Sequence, residues 1–542
     1  YLSLLPPLVT LVSSVLLQQV IVALLLGIFA GACLISLNPL VSVLRVFDHY
    51  FCGSLAGEDH AAVLLFTFLL GGTIGIVQKS GGAQGLANLC KGFMSSRKQG
   101  QLVMLGLASC IFFDDYSSIL IVGNSLRSVV ASCGLSVEKF AVIVHCMGTC
   151  LAGLSPISSW VGLQIGYLAG VLDQIGLGGQ VDPFVAFLQT LVYRFFPLLL
   201  LAIVVLSVLL GREFGPLVEA EQKVVAAAEA STPPSSNPTG KEPLEVDAGP
   251  VPDPGPLDPK AGTPLRWINA VLPFTFVIVA TMAGMLADGA SALRALPPQD
   301  QPVSPSVIDL LSNCDSVKAL LWASAGGFLV STILVTAQGF LNLGEVMEAW
   351  MEGMKDVLEP QFVLVLAWAL GQVVSDVGTA EFLSSTLTSG YVSAPLLPAL
   401  VSVLCFATSF ACGSSFGTMG IVFPLVGPLA YKLGGGDVDF LMHCFAAILA
   451  GATFGNVCSP ISDTTILTCL STGCPLAAHV ATIAPYTVIA GVLSLGANVI
   501  VGYGLLTGVQ VLIVGLLTAL LLFVCLGKTV MGQTAPATKK LG

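Results

Sequence analysis

The residues that could do chemistry in this sequence stand inside long apolar stretches, where charge is costly and is usually retained for function. Asp114-Asp115-Tyr116-Ser117-Ser118 falls in the middle of the apolar run Leu102–Leu126. Two adjacent carboxylates in a low-dielectric site cannot both ionise without a cation, so such a pair takes up a proton or binds a cation. The structural alternative is an ion pair with Arg127 or another base. A second cluster runs from Gly455 through Asn456, Ser459, Pro460, Ser462 and Asp463 to Thr465. Pro460 removes a helix donor and frees a carbonyl. Ser459, Ser462, Asp463 and Thr464 add the carboxylate and hydroxyl oxygens that hard cations prefer; the alternative is that Asp463 merely caps a half-helix. The third cluster, Ser375-Asp376-Val377-Gly378-Thr379, ends the run Phe362–Val377, with Asp376 its one acid and Glu381 just beyond. Gly413-Ser414-Ser415-Phe416-Gly417-Thr418 is uncharged, and its small residues suit close helix approach or an unwound stretch. His145 and His443 sit on apolar segments, where a packed, hydrogen-bonded ring is the commoner case and a proton-linked one the alternative.

These groups need elements that hold them within a membrane. Of 542 residues 55% are hydrophobic and 9% charged, against roughly 25% charged in a soluble domain. Apolar runs of about 20 residues recur, the length that crosses a hydrocarbon core. They are continuous, as helices require, and lack the ten-residue alternation of barrel strands. The expected fold is therefore an all-α polytopic membrane protein of about 11–13 spans. Spans are expected at Leu4–Leu17, Val20–Leu37, Ala61–Val77, Leu102–Leu126, Phe140–Ala169 and Phe184–Leu210. The second half offers Ile268–Leu286, Val317–Thr336, Phe362–Val377, Leu397–Leu429, Phe440–Leu470, Ala481–Val501 and Leu505–Leu526. The long segments after Leu397 and Phe440 can each be a broken helix or a re-entrant pair.

Gly211–Pro264 holds 11 of the 31 prolines, and Arg212–Lys260 carries nine acids against four bases. Such a composition reads as a disordered acidic linker, 211–264, between membrane repeats at 1–210 and 265–503, with an extra helix and tail at 504–542. Lys79–Gln101 has four bases and no acid, which places it on the cytoplasmic side; Ala287–Asp315, richer in acids, suits the other side. Most of the 15 cysteines lie in apolar runs without a CxxC pair and read as small buried residues. No basic patch with interleaved aromatics suggests nucleic acid. No P-loop, HExxH or GxSxG motif suggests ATP use or an intramembrane enzyme, so no cofactor is expected.

The halves also repeat one another. Glu58–Gly71 aligns without gaps on Leu358–Gly371, Ser117-Ser118 on Ser414-Ser415, His145-Cys146 on His443-Cys444, and Ser155-Pro156-Ile157-Ser158 on Ser459-Pro460-Ile461-Ser462. Duplicated halves are the usual build of secondary transporters. An odd number of crossings per half inverts one half relative to the other.

At these clusters the sequence resembles the NhaC-type Na+/H+ antiporter family. The resemblance rests on Leu69–Gly82, Phe112–Arg127, Ser155–Gly166, Ala369–Leu383 and Phe454–Leu467, which contain the FDDY and SPISDTT motifs. It departs at His145, where many relatives have Asp, and at Asn456-Val457, where relatives have Asp-His. The resemblance implies an inverted-repeat helical transporter and secondary cation/proton exchange. On this reading Asp463, Ser459, Ser462, Thr464 and Asn456 hold Na+ or another alkali cation. Asp114, Asp115 and Asp376 share proton and cation, and Ser117, Ser118, Ser155, Ser158, Ser414, Ser415 and His145 support them. The partners expected are the lipid bilayer and the transported cation and proton, with a homodimer compatible. A Na+-coupled carrier or exchanger of a small organic acid or amino acid is the alternative.

Overall fold

The computed structural model describes residues 2–17, 19–94, 96–130, 133–230, 255–260, 262–295, 305–306, 310, 313–379, 382 and 393–530. The first half contains α1 (Leu5–Leu17), α2 (Val20–Ser36), α3 (Pro39–Arg45), α4 (Cys52–Leu55), α5 (Glu58–Lys79), α6 (Gly82–Lys91), α7 (Arg97–Cys110), α8 (Asp115–Val130), α9 (Val137–Leu154), α10 (Ser159–Gln174), α11 (Pro183–Thr190) and α12 (Phe195–Leu210). After α13 (Pro216–Ala230) the second half follows: α14 (Ile268–Ala295), α15 (Ser316–Ala337), α16 (Leu343–Asp376), α17 (Leu397–Cys412), α18 (Ser415–Leu433), α19 (Val438–Cys458), α20 (Asp463–Thr472), α21 (Leu476–Gly502) and α22 (Gly508–Leu526). The only strands among the described residues, Arg212–Glu213 and Lys528–Thr529, pair antiparallel and tie the end of the first half to the chain after α22.

Ten helices among the described residues are long and apolar enough to cross a membrane, or eleven if the bent pair Pro183–Tyr193 and Phe195–Leu210 is one span. The protein is an integral, multi-pass membrane protein. The count stays low because α1 and α2, of 13 and 17 residues, and both halves of the run at 102–126 are shorter than a full span. Four expected spans are broken. The run at 102–126 divides at 111–114 and that at 140–169 at 155–158. The run at 397–429 divides at 413–414, where Gly413 has a φ of 66° that a side chain would strain, and that at 440–470 at 459–462. Asp114 and Asp115 thus lie at a break and at the start of a half-helix, not in mid-span as the apolar run suggested.

Two features establish inversion of the repeats. First, α5 and α16 contain the aligned segments and pack antiparallel along a glycine seam. A Cβ on Gly71 would meet Val357 and the Gly353 carbonyl, whereas one on Gly75, a turn later, would lie 2.3 Å from the Ala349 carbonyl. Ascending one helix therefore descends the other. Equivalent spans that run oppositely are related by an axis in the membrane plane. Second, the half-helices exchange partners, with α8 packing on α20 and α10 on α18. A two-fold operation maps one pair onto the other. The seam tolerates no side chain: a Cβ on Gly353 would lie 2.4 Å from the Gly71 carbonyl. Gly75→Val is expected to destabilise the protein by about 3 kcal/mol or more, as overpacking against backbone does, and thermal unfolding in detergent would read it.

The expectation of a disordered linker from Gly211 meets ordered structure through Ala230. Lys139 Nζ lies 2.8 Å from Glu213 Oε1, and Arg97 pairs with Glu221; both carboxylates are buried. Amphipathic sequence and two buried ion pairs dock this segment on the first half despite its charge. Residues 231–254 and 531–542, the middle of the expected linker and the tail, lie outside the described residues. Gly255–Lys260 is held by Lys79 Nζ donating to the Pro256 carbonyl at 2.7 Å and by an ion pair between Lys260 and Glu345.

Candidate ion site at the helix breaks

Each half sets its two breaks against each other. In the first half, Ser159 N donates to the Phe113 carbonyl at 2.8 Å, and Ser159 Oγ donates to Asp114 Oδ1 at 2.6 Å. In the second, Ser459 Oγ donates to the Phe410 carbonyl at 2.8 Å. Breaking a helix leaves backbone groups without intrahelical partners, and the serines of the repeated motif satisfy several of them. Ser158 Oγ donates to the Ala152 carbonyl at 2.7 Å, Ser155 Oγ to the Ile157 carbonyl at 3.1 Å and Ser415 Oγ to the Ala452 carbonyl at 3.0 Å. Ser414 Oγ accepts from Gly417 N at 3.1 Å and caps α18. These serines position the breaks; their contacts are to backbone.

The carboxylates of the two halves converge. Asp114 Oδ2 accepts from Ser117 N at 2.8 Å and from Ser117 Oγ at 2.6 Å, and Gln78 donates to Ser117. Tyr116 Oη donates to Asp463 Oδ2, which joins the FDDY motif of the first half to the SPISDTT motif of the second. Asp463 Oδ1 accepts from Thr464 N at 2.7 Å. Behind it, Ser462 Oγ donates to Asn456 Oδ1 and Thr464 Oγ1 to the Asn456 carbonyl, at 3.1 and 2.9 Å. At the mirrored interface Phe416 meets Trp160 edge-on, with centroids 4.8 Å apart. Asp463 has the uncharged Ser159 as its counterpart in the first half.

Asp463 faces a cavity of about 440 Å³ lined also by Gln78, Gln84, Tyr116, Asp258 and Asp356. No lysine or arginine lines it among the described residues. Asp356 escapes a sequence reading because the acid-rich start of α16 looks like a loop, whereas the helix runs unbroken through Pro360.

Asp376 is not brought to this cluster. It ends α16, 20 residues beyond Asp356, or roughly 30 Å along a helix axis. There Tyr50 Oη donates to it at 3.1 Å, and it lines a separate cavity of about 330 Å³ with Asp173, His60 and Gln174. The two cavities lie at opposite ends of the α5–α16 pair: Gln78 and Asp356 line one, His60 and Asp376 the other.

The histidines divide. His145 Nε2 is 3.1 Å from Thr464 Oγ1, and its Nδ1 is 2.9 Å from Nε2 of His479, a residue with no sequence motif to mark it. His443 instead bonds Asn498 Oδ1 at 2.9 Å. Arg194, also unmarked in the sequence, is buried at the bend between α11 and α12. It donates to the Gly153 carbonyl at 2.7 Å and to Gln164 Oε1 at 2.8 Å. A guanidinium at the C-terminal end of α9 complements that helix dipole beside the first break.

The chain is similar to known proteins. Residues 151–506 match the model of the Na+/H+ antiporter family. An uncharacterized protein of Haemophilus influenzae is 27% identical over 509 residues, covering 92% of this chain and 91% of its own. The YdaH transporter of Alcanivorax borkumensis, reported to have an unusual topology, superposes with a TM-score of 0.50 at 16% identity, over 85% of this chain and 89% of its own. MtrF of Neisseria gonorrhoeae, from a class of antimetabolite efflux pumps, gives 0.42 at 15% identity over 86% and 85%. The second SPIS break and Asp463 sit within this matched region, which is more than half of the sequence, and the chain belongs to the Na+/H+ antiporter family, a family of membrane transporters.

Proposed function

We propose that this transporter exchanges Na+, or another alkali cation, for H+. The observation that carries the reading is the cavity that Asp463 and Asp356 both line, with no lysine or arginine on its wall among the described residues. Uncompensated carboxylates in such a place need a cation or a proton. Asp463, with Ser459, Ser462, Thr464 and Asn456 shaping the break behind it, receives the cation. Asp114 and Asp115 share proton and cation, and competition between the two couples their flows. Asp376 serves the opposite cavity. In acid-loaded proteoliposomes with a pH dye and no organic solute, external Na+ is expected to drive protons out. Cation addition that moves no protons overturns simple exchange.

The cavity volume favours one further reading. About 440 Å³ is within the range of sites for small organic molecules, as a Na+-coupled carrier of a small organic acid or amino acid requires. The half-helix N-termini at the breaks would then hold the substrate carboxylate. Proton movement that appears only when such a solute is present would select it.

A further inference from the structure

The cavity that Asp463 lines is bounded on one side by the chain that joins the two halves. Gly255, Pro256, Leu257 and Asp258 all stand on its wall. Gly255, Pro256 and Asp258 are also exposed to solvent, so this segment has the cavity on one side and water on the other. The rest of the wall comes from α5, α6, α8, α16 and α20. This part is a turn: Asp258 N donates to the Gly255 carbonyl at 3.1 Å, and Gly255 N donates to Asp258 Oδ2 at 2.8 Å.

Little holds the turn in place. Among the described residues its backbone takes one hydrogen bond from a helix, from Lys79 Nζ at the end of α5 to the Pro256 carbonyl. Lys260 pairs with Glu345 in the first turn of α16, and these side chains are 54% and 23% exposed. Leu257, half-buried, packs on the small apolar cluster of Ile76, Leu341 and Val346. Exposed ion pairs contribute little to stability, and segments with few buried apolar contacts open at low cost. The start of the same joining stretch is pinned differently, by the buried pairs of Glu213 and Glu221. The Lys260–Glu345 contact also stands apart from the ion-binding acids. Asp356 follows Glu345 on α16 by about three turns, or roughly 16 Å along the axis.

We infer that residues 255–260 form a cover over the cation cavity, latched by Lys79 and by the Lys260–Glu345 pair, and that release of the cover governs exchange between the cavity and the water on that side. An ionic latch in contact with water weakens as salt screens it, so the cover loosens as electrolyte rises. The inference rests on cation passage through this cavity, not on exchange with protons.

The probe is a cysteine inside the cavity, Leu120→Cys, since Leu120 stands on the wall. The full chain in detergent is treated with N-ethylmaleimide, an uncharged reagent, and modification at position 120 is followed by peptide mass spectrometry, which separates it from the 15 native cysteines. Lys260→Glu turns the latch into a repulsion at an exposed position. It is expected to speed labelling about fivefold, the weight of one exposed pair. Adding Glu345→Lys reverses both charges and should slow labelling again, toward the parent's rate but not fully to it, because Glu345 also accepts from Asn342 N at 2.9 Å. Added choline chloride should speed labelling in the parent and not in Lys260→Glu. In proteoliposomes the initial rate of radioactive Na+ uptake should rise with Lys260→Glu by a similar factor. Labelling of Lys260→Glu at the parent's rate overturns the cover, and faster labelling with unchanged uptake overturns its control of the route. Labelling and uptake that both follow the latch, without proton movement, leave the cover standing and remove only the exchange reading.

Discussion

Asp463→Asn is expected to abolish cation-driven proton movement while the protein folds and inserts normally. The present contacts of Asp463 are ones that Asn can keep. Its Oδ1 accepts from Thr464 N, which an amide oxygen does equally well. Its Oδ2 accepts from Tyr116 Oη, a hydroxyl free to rotate and accept from an amide N–H instead. Asn also serves as well as Asp at a helix start. The substitution therefore removes one full charge and little else. A unit charge pair at 4 Å is worth about 4 kcal/mol at an effective dielectric of 20, or roughly a thousandfold in affinity. The converse change, Ser159→Asp, does not create a second site. Ser159 Oγ donates to Asp114, so an acid there faces another acid and the first pair of breaks is pushed apart. Wild-type transport by Asp463→Asn with unchanged cation affinity would move the cation role to Asp114 and Asp115.

The motifs were legible because local chemistry writes them locally. Pro460 announces a break, the small residues from Gly413 to Thr418 announce close approach or an unwound stretch, and matched spacing announces duplication. The way the breaks pair was not legible. Tyr116 and Asp463 are 347 residues apart, and no local rule predicts that a tyrosine in one half holds the acid of the other. Hydropathy also smoothed over the helix break at 111–114, since Ile111, Phe112 and Phe113 are as apolar as the helix they interrupt. Asp376 looked equivalent to the other buried acids because it sits at the end of a span, a position that sequence does not assign to one side of the membrane or the other. Asp356 was hidden for the opposite reason: Glu345, Glu348, Glu352, Lys355 and Glu359 surround it in sequence, and only the uninterrupted course of α16 carries it to the cavity. His479 and Arg194 are single polar residues in apolar helices, and their partners are set by tertiary packing alone.

The same lesson applies to the charged stretch after the first half, where composition and packing point in opposite directions. Lys139→Met is expected to cost about 3–5 kcal/mol, the range for removing one partner of a buried ion pair. Lys139 is fully enclosed, with its ammonium 2.8 Å from Glu213 Oε1 and 2.5 Å from Ser207 Oγ. Its loss leaves the Glu213 carboxylate buried, with Tyr486 Oη as its remaining side-chain donor. The penalty belongs to the stranded charge and not to the lost attraction. Neutralising the carboxylate as well should therefore recover most of it, because Gln still accepts from Tyr486. Thermal unfolding of Lys139→Met, Glu213→Gln and the double variant separates the two terms, with the double variant expected to be more stable than Lys139→Met alone. Proteolysis gives a second readout. α13 is held by Glu221, which accepts from Ser136 N at 2.7 Å and pairs with Arg97, and its N-terminal end follows Glu213 closely. Loosening Glu213 should expose α13 to cleavage at protease levels that leave the parent intact there. If Lys139→Met unfolds with the parent and α13 is cut equally in both, the segment behaves as the solvated linker that its composition suggested. The Lys139–Glu213 pair then does not hold it to the first half.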